Sequence, residues 1–170
     1  MNQWYKQIEA VEILQQGDFL YNCPIAKPSD SKNWDTIDIE NYDVIIMSQS
    51  CDLKNNKIDL VLVCPYYTLS EFTDINKSFS DYKLRESARQ GNLPGYHLLN
   101  SCSFLNHEEI LIVDFKTIFS LSFEFLNTHK LEQEKRISLS SPYKEHLSQA
   151  FARFFMRVGL PSGIPKFVKK

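Results

Sequence analysis

The segments 42-YDVIIMS-48 and 58-IDLVLVCP-65 are near-continuous runs of aliphatic and β-branched residues. Runs of this kind are typical of strands that are buried on both faces of a sheet. The intervening residues 54–57, with the sequence KNNK, predict a hairpin-type turn because asparagine tolerates positive φ angles. The pattern therefore predicts two adjacent buried strands, with Cys51 and Asp52 in the loop that approaches the turn.

Weaker patterns flank this pair on both sides. Residues 19–25 predict a strand that Pro24 places at a sheet edge, because proline lacks the N–H group that a central strand donates. Residues 2–16 allow either a short helix or a first strand, and the polar residues 27–41 predict an exposed loop. Further strands are predicted over residues 96–99, 109–115, 118–123 and 137–139.

Two helices are predicted, and the clearer one lies near the C-terminus over residues 142–158. Ser141 suits the N-cap of this helix and Pro142 suits its first position. The other helix lies over residues 81–90 and ends at Gly91. The C-terminal helix has one continuous apolar face, which we expect to cover an open end of a small barrel. Its members are Tyr143, Leu147, Ala150, Phe151, Phe154, Phe155 and Val158.

Composition and charge limit the class of protein. Hydrophobic residues make up 43% of the 170 residues and charged residues 24%, which is ordinary for a globular protein. The formal net charge of −2 argues against a general nucleic-acid coat, but it allows a local basic patch. No signal peptide is evident, and the apolar runs are too short to cross a bilayer. We therefore expect a cytoplasmic protein without a membrane partner, built as one domain over residues 1–170 (barrel about 13–140, helix 142–158).

Cys51 and its neighbours form the first candidate site. The end of a rigid strand presents this thiol to solvent, which is a usual position for a nucleophile or a ligand. A catalytic cysteine needs a base, and His97 is the histidine that strand-like neighbours would hold rigidly. The alternative is a packed thiol beside Asp52 as a turn-capping residue. The polar residues expected to contact a ligand in this loop are Ser48, Gln49 and Ser50.

Metal ligation is a further possibility for the cysteines and a histidine. These residues lack C-x-x-C and H-x-x-H spacing, so the sequence predicts no metal site. Only five glycines are present and they form no phosphate-binding loop, so we expect no cofactor. Because no secretion signal is evident, the cysteines are expected to be reduced. The residues considered are Cys23, Cys51, Cys64, Cys102 and His107.

Basic residues form the second candidate site. Arg85 and Arg89 lie on the predicted middle helix, and Arg153 and Arg157 lie one turn apart on the exposed side of the last helix. Grouped basic residues of this kind bind nucleic acid or an acidic partner. The same pattern also fits solvated helix faces whose cations interact favourably with a helix dipole. The sequence leaves both interpretations open.

Three motifs follow one another in the first half of the chain. Gly17-Asp18 opens a strand, residues 42–48 end in a serine, and residues 58–68 end in Pro-x-x-Thr. This order resembles the MazF/PemK family of growth-inhibiting toxins over about residues 13–70. The resemblance implies a mostly β (α+β) fold, namely an SH3-like or PemK-like small β-barrel with a middle helix and a C-terminal amphipathic helix.

The resemblance also implies where ribonuclease chemistry is expected. In the family, an arginine starts the second strand and a serine or threonine follows the third. Thr68 matches the second of these positions, whereas Tyr42 and Asp43 stand where the arginine is expected. Arg85 and Arg89 are the candidates to replace that arginine.

The leading functional expectation is a binding module of a bacterial toxin–antitoxin or phage-defence system. Its partner is expected to be RNA, DNA or a protein encoded in the same operon. The alternative is an enzyme, either a ribonuclease with an altered active site or a hydrolase with Cys51 as nucleophile. A homodimer formed through the C-terminal helix is a third, structural expectation.

Overall fold

A computed structural model describes residues 3–30, 33–105 and 109–156. These residues form a mixed α/β structure in which short helices connect the strands. None of the helices in the described ranges is long and apolar enough to cross a membrane. The strands are β1 (Tyr5–Glu9), β2 (Phe19–Asp30), β3 (Asn33–Ile46), β4 (Leu60–Thr68), β5 (Tyr96–Leu99), β6 (Leu111–Asp114), β7 (Phe119–Ser122) and β8 (Lys135–Leu139). The α-helices are α1 (Ser50–Lys54), α2 (Leu69–Ile75), α3 (Tyr82–Arg89), α4 (Phe123–His129) and α5 (Tyr143–Phe155).

The strands form a six-stranded antiparallel sheet and a separate two-stranded sheet. The larger sheet has the order β2-β3-β4-β6-β5, with β7 also paired to β4, and the smaller sheet pairs β1 with β8. A single bridge between Asp18 and Ser138 links the two sheets. Beside it, the Leu139 N–H donates to the Gly17 carbonyl at 2.9 Å. The start of β2 is therefore the point at which the two sheets meet.

The predicted pair of buried strands is confirmed. Val44, Ile45 and Ile46 of β3 are fully buried and pair with residues 63–65 of β4. The buried side chains of the two strands are divided between two core clusters, whereas Leu60 and Leu62 are 61% and 40% exposed, so the first half of β4 is covered on one face only. The first core cluster contains Ile45 and Cys64, and the second contains Val44, Ile46, Val61 and Val63. The α+β class is likewise confirmed.

The predicted loop over residues 27–41 is wrong, because this segment forms most of a β2–β3 hairpin. Ile25 pairs with Glu40, and Pro28 pairs with Ile37. Residues 37–40 alternate apolar and acidic side chains, which is a strand pattern that the polarity of the surrounding segment obscures. The edge position predicted for the strand with Pro24 is confirmed, since β2 is the first strand of the larger sheet.

The turn predicted over residues 54–57 is present at Asn55 and Asn56, between the antiparallel strands β3 and β4, but the loop predicted before it is wrong. Helix α1 occupies the start of this connection, and Cys51 therefore lies on a helix rather than in an extended loop. Just after the end of α1, the Lys57 N–H donates a hydrogen bond to the Asp52 carbonyl at 3.0 Å. Asn56 does adopt a positive φ of 49°, as its residue type favours.

Helix α5 begins one residue later than predicted. Pro142, rather than Ser141, occupies the N-cap, and its side chain accepts no capping hydrogen bond. The first turn is held instead by the Ser140 carbonyl, which accepts from the Tyr143 N–H at 2.8 Å. Residues 157 and 158 of the predicted helix lie outside the described residues.

The apolar face of α5 packs against the first core cluster, where Leu147 is fully buried. The ring centroids of Phe151 and Phe115 are 5.3 Å apart. Phe155 was predicted on this face but is 60% exposed. At 3.6 residues per turn, Phe155 lies about a third of a turn away from Tyr143, outside the buried stripe. Phe155 is thus an exposed member of the predicted dimerisation face, although its ring still contacts those of Phe151 and Phe154.

Candidate nucleic-acid interface

The structure distributes the predicted site residues over three separate places. Residues 48–52 lie at α1, and Thr68 and Arg85 lie around α2 and α3. Arg89, His97 and Arg153 line one shared groove. Arg157 and His107 lie outside the described residues. Arg89, His97 and Arg153 are therefore the predicted residues that the fold brings together.

The polar side chains around α1 hold the connection between β3 and β4 in position. The Ser48 hydroxyl accepts a hydrogen bond from the Leu62 N–H at 2.9 Å, and the Ser50 hydroxyl accepts one from the Gln16 N–H at 3.1 Å. The Gln49 side-chain amide donates to the Ser148 hydroxyl at 3.1 Å. These contacts tie the connection to β4, to the segment before β2 and to α5. Their evident role is structural.

Cys51 is exposed at a cavity that Ile13, Gln15 and Lys54 also line. Its Sγ lies 3.7 Å from Asp52 Oδ1, which is a contact with an acceptor and not with a base that was placed to form a thiolate. No histidine of the described residues lines this cavity, and His97 lines a different one. Among the described residues, the Asp52 carboxylate is therefore the group that contacts the Cys51 thiol, and no imidazole lies in the cavity to act as the general base.

Thr68 forms the N-cap of α2. Its hydroxyl accepts from the Glu71 N–H at 3.2 Å, and the Glu71 carboxylate accepts from the Thr68 N–H at 2.8 Å. This reciprocal pair is a capping box, and it uses the hydroxyl that ribonuclease chemistry would need. Arg85 donates from Nε to the Phe79 carbonyl. It lines a cavity with Asp74 and Glu109, away from the groove.

The groove that contains Arg89, His97 and Arg153 lies between the end of α3, strand β5 and helix α5; we call it the basic groove. Gly91, with a φ of 74°, ends α3 and turns the chain toward β5. The groove has a volume of about 210 Å³. Its lining consists of Ala88, Arg89, Gln90, Gly91, Pro94, Tyr96, His97, Leu98, Ala150 and Arg153.

The cations of the basic groove differ in how far they are neutralised. Arg89 makes a double contact with Glu86, with Nη2–Oε1 and Nε–Oε2 distances of 2.6 and 2.8 Å. Arg153 is exposed, and no carboxylate of the described residues lies within ion-pairing distance of it. Lys116 lies beside the groove with its Nζ 4.5 Å from the Tyr96 ring centroid. Arg153 and Lys116 are thus the cations available to an anionic ligand.

His97 contributes a neutral side chain to this groove. Burial, together with the nearby His146, lowers the pKa of His97 to about 4. Its ring lies parallel to that of Phe115, with centroids 6.1 Å apart. At neutral pH the imidazole therefore supplies one hydrogen-bond donor and one acceptor but no charge.

The sequence analysis did not predict the buried polar cluster that lies at the junction of the two sheets. Asp18 and Arg136 are both fully buried, and Arg136 Nη1 lies 2.6 Å from Asp18 Oδ2. The signal that was available is Arg136 itself, a charged residue that alternates with Ile137 and Leu139 in a strand that faces the core. The described residues contain no group of His, Cys, Asp and Glu side chains arranged to hold a metal ion.

The basic groove is thus built from three elements that lie far apart in the sequence, and its ligand must be inferred from its chemistry. The available cations Arg153 and Lys116, together with the neutral imidazole of His97 and the Tyr96 ring, favour a ligand that is an anion and also carries hydrogen-bonding groups. A scan of protein-family models and a search of curated proteins both found no match for the chain.

Proposed function

We propose that this chain is a nucleic-acid-binding module on an SH3-like framework of the PemK/MazF type, acting in the bacterial cytoplasm in a toxin–antitoxin or phage-defence system. One observation carries the binding function: Arg89, His97 and Arg153 come from three different elements and line one groove. The biological setting follows from the resemblance of residues 13–70 to the toxin family.

The strand arrangement supports an SH3-like framework. Gly17 and Asp18, which begin the motif order shared with the toxins, lie where the two sheets meet. At the other end, the Tyr5 hydroxyl donates to the Asn100 carbonyl just after β5. Strand β1 of the small sheet therefore approaches the last strand of the large sheet. Such curling of the strands toward closure is what a small barrel requires.

Electrostatics favour nucleic acid over an acidic protein surface as the partner. Phosphate groups are recognised by arginine and lysine, whereas uncharged donors and acceptors such as neutral His97 contact sugars and base edges. The overall charge of −2 means that binding depends on this local site, so we expect modest affinity and a slope of log affinity against log salt of about −2, from the two available cations. The enzyme alternatives lack comparable support, because Thr68 is engaged in a cap and no histidine of the described residues shares the cavity of Cys51.

Fluorescence anisotropy with labelled RNA and DNA oligonucleotides tests this proposal. We expect Arg153→Glu to weaken binding about tenfold or more, because it replaces a phosphate contact with a repulsive charge. The milder Arg153→Gln is expected to lower the slope of log affinity against log salt by about 1.

Lys54→Glu is the matched control, because it makes the same change of charge in the cavity beside Cys51. It should leave the affinity within about twofold of the unmodified chain. If Lys54→Glu weakens binding and Arg153→Glu does not, the interface lies at α1 and the basic groove is excluded. If the chain binds no oligonucleotide but captures a purified acidic protein through Arg153, the partner is a protein and the nucleic-acid proposal fails.

A further inference from the structure

A second cavity lies between β1 and the segment that follows β5; we call it the aromatic cleft. It has a volume of about 410 Å³, within the range of small-molecule sites. Its lining consists of Gln3, Trp4, Tyr5, Asn100, Ser101, Ser103 and Phe104. None of these side chains carries a charge at neutral pH, and none belongs to the sites discussed above.

The chemistry of this lining selects a class of ligand. Three of the side chains are aromatic rings, which bind flat rings by stacking, and the other four are amides or hydroxyls, which bind polar edges. Because none of the described residues that line the cleft is charged, this lining favours a neutral ligand over a phosphate or an ammonium group. The ligand expected here is therefore planar, uncharged and rich in hydrogen-bonding groups.

The aromatic wall of the cleft is held in place by the surrounding structure. Trp4 stacks on Tyr143 of α5, with ring centroids 3.7 Å apart and an interplanar angle of 12°. The Trp4 carbonyl accepts a hydrogen bond from the Ser140 N–H at 2.8 Å, which fixes the backbone beside the indole. Phe104, on the other side of the cleft, is 42% exposed. A flat ring placed against Trp4 would extend the existing stack.

The polar side chains of the cleft are only partly satisfied by the protein. Asn100 Oδ1 accepts from the Ser101 N–H at 3.0 Å, which leaves the Asn100 NH₂ group as a donor toward a ligand. Within the described residues, no hydrogen bond engages the side chain of Gln3, which offers both a donor and an acceptor. Asparagine and glutamine amides pair with the donor and acceptor edge of adenine.

We infer that the aromatic cleft binds a nucleobase, with adenine preferred, and that it does so independently of phosphate binding in the basic groove. The base stacks on Trp4 while the amides of Gln3 and Asn100 contact its edge. A free nucleoside and a base within a strand present this same chemistry. Tyr143 and Arg153 lie ten residues apart on α5, so the cleft and the basic groove are separated by about 15 Å along one helix.

Trp4 itself provides the readout, once Trp34→Phe has removed the other tryptophan of the chain. We expect adenosine to quench Trp4 fluorescence in a saturable manner. The affinity for uridine, measured in the same way, should be at least about threefold lower. Phe104→Ala and Asn100→Ala should each weaken adenosine binding at least fivefold. Gln149→Ala, which removes an exposed amide outside the cleft, should leave it unchanged. No saturable quenching by any nucleoside, or equal quenching by glucose, would overturn the inference.

A second arm separates the two sources of the base and the two proposals. If Phe104→Ala loses affinity for oligoadenylate, the ligand of the cleft is a base within a nucleic-acid strand. If the variant keeps its oligoadenylate affinity but binds adenosine more weakly, the ligand is a free nucleoside. Binding of oligonucleotides that depends on Arg153, without any quenching of Trp4, leaves the proposed function intact and rejects the cleft. Quenching by adenosine without Arg153-dependent binding of oligonucleotides supports the cleft and rejects the proposed function of the basic groove.

Discussion

Asp18 and Arg136 have fully buried side chains that depend on each other. Besides the ion pair, Arg136 Nη2 donates to the Glu12 carbonyl at 2.6 Å, and Asp18 Oδ2 accepts from the Gln15 N–H at 3.0 Å. Burial raises the pKa of the Asp18 carboxyl, while Ser138 and Arg136 oppose that rise. The pair thus ties the segment before β2 to strand β8 at the junction of the sheets.

Arg136→Met is expected to lower the free energy of unfolding by about 3–5 kcal/mol, because it leaves the Asp18 carboxylate buried without its partner. The double variant Asp18→Leu/Arg136→Met removes both charges and should recover much of that loss. Urea unfolding followed by circular dichroism measures both values. If the single variant keeps the stability of the parent, the buried pair is not the structural link described above.

His97 should make the stability of the chain depend on pH in a defined window. Its pKa is about 4 in the folded chain against an ordinary value of 6.5. As pH falls below 6.5, His97 is protonated in the unfolded chain, whereas in the folded chain it stays neutral until about pH 4. The free energy of unfolding therefore decreases as pH falls across that interval. Above it, His97 is neutral in both states and has no effect.

The His97→Gln variant isolates this contribution, because other groups titrate equally in both proteins. Between about pH 7 and pH 5, the parent should lose about 2 kcal/mol more of its free energy of unfolding than the variant. Urea midpoints at the two pH values provide the comparison. Parallel losses in the two proteins would mean that His97 is accessible to protons in the folded chain.

At the scale of elements, the capping box at α2 predicts what Thr68 does. Thr68→Ala should lower the free energy of unfolding by about 1 kcal/mol, because the N–H group of Glu71 loses its acceptor. Thr68→Ser keeps the hydroxyl and should retain most of the stability. Thermal unfolding measures these changes, and anisotropy should find nucleic-acid affinity unaltered in both variants. A variant that is stable but fails to cleave RNA, beside a parent that cleaves it, would restore the ribonuclease alternative.

The elements that could be predicted are those with a strong local signal. The runs around Val44 and Val61 identify buried strands without any knowledge of their partners, and the apolar stripe around Leu147 identifies α5. Helix α1 has five residues, too few to display a helical period. In the β2–β3 hairpin, the acidic residues Asp38 and Glu40, which alternate with Ile37 and Ile39, made a strand resemble a loop. These two errors arise from short or polar elements whose structure depends on tertiary context.

The candidate site could be predicted only in part, because the sequence identifies residue types but not their spatial neighbours. His97 was singled out as a rigid strand residue, and Arg89 and Arg153 as basic residues on helices. Their convergence depends on the packing of α5 beside β5, which no local pattern encodes. The aromatic cleft was missed for the same reason, since Trp4 and Asn100 meet only after β1 approaches the end of β5.

At the scale of the whole molecule, two of the three core clusters of the described residues share the strands β3 and β4, and the third lies around Phe72, Phe79 and Ile112. Ile45 and Cys64 face the first cluster, whereas Val44 and Val63 face the second. Helix α5 covers the first cluster, and Leu126 of α4 packs in the second. Because the same two strands support both clusters, loss of packing in one should disrupt the other. The chain is therefore expected to unfold as one cooperative unit.

The four cysteines can test this cooperativity. Cys51 is exposed, whereas Cys23 lies in the second cluster and Cys64 and Cys102 lie in the first. Burial raises the pKa of the Cys23 and Cys64 thiols to about 12, which suppresses their reactive thiolates in the folded chain. Pulsed alkylation with iodoacetamide in increasing urea, read by mass spectrometry, should label Cys51 throughout.

The three buried thiols should all become reactive at one urea concentration, because strands β3 and β4 cannot leave one cluster while they remain in the other. Cys51→Ser serves as the control that removes the constant background label without touching either cluster. If Cys23 becomes reactive at a lower urea concentration than Cys64 and Cys102, the second cluster unfolds separately. The prediction of one domain would then be wrong, and β2 with its long hairpin would be the unit that opens first.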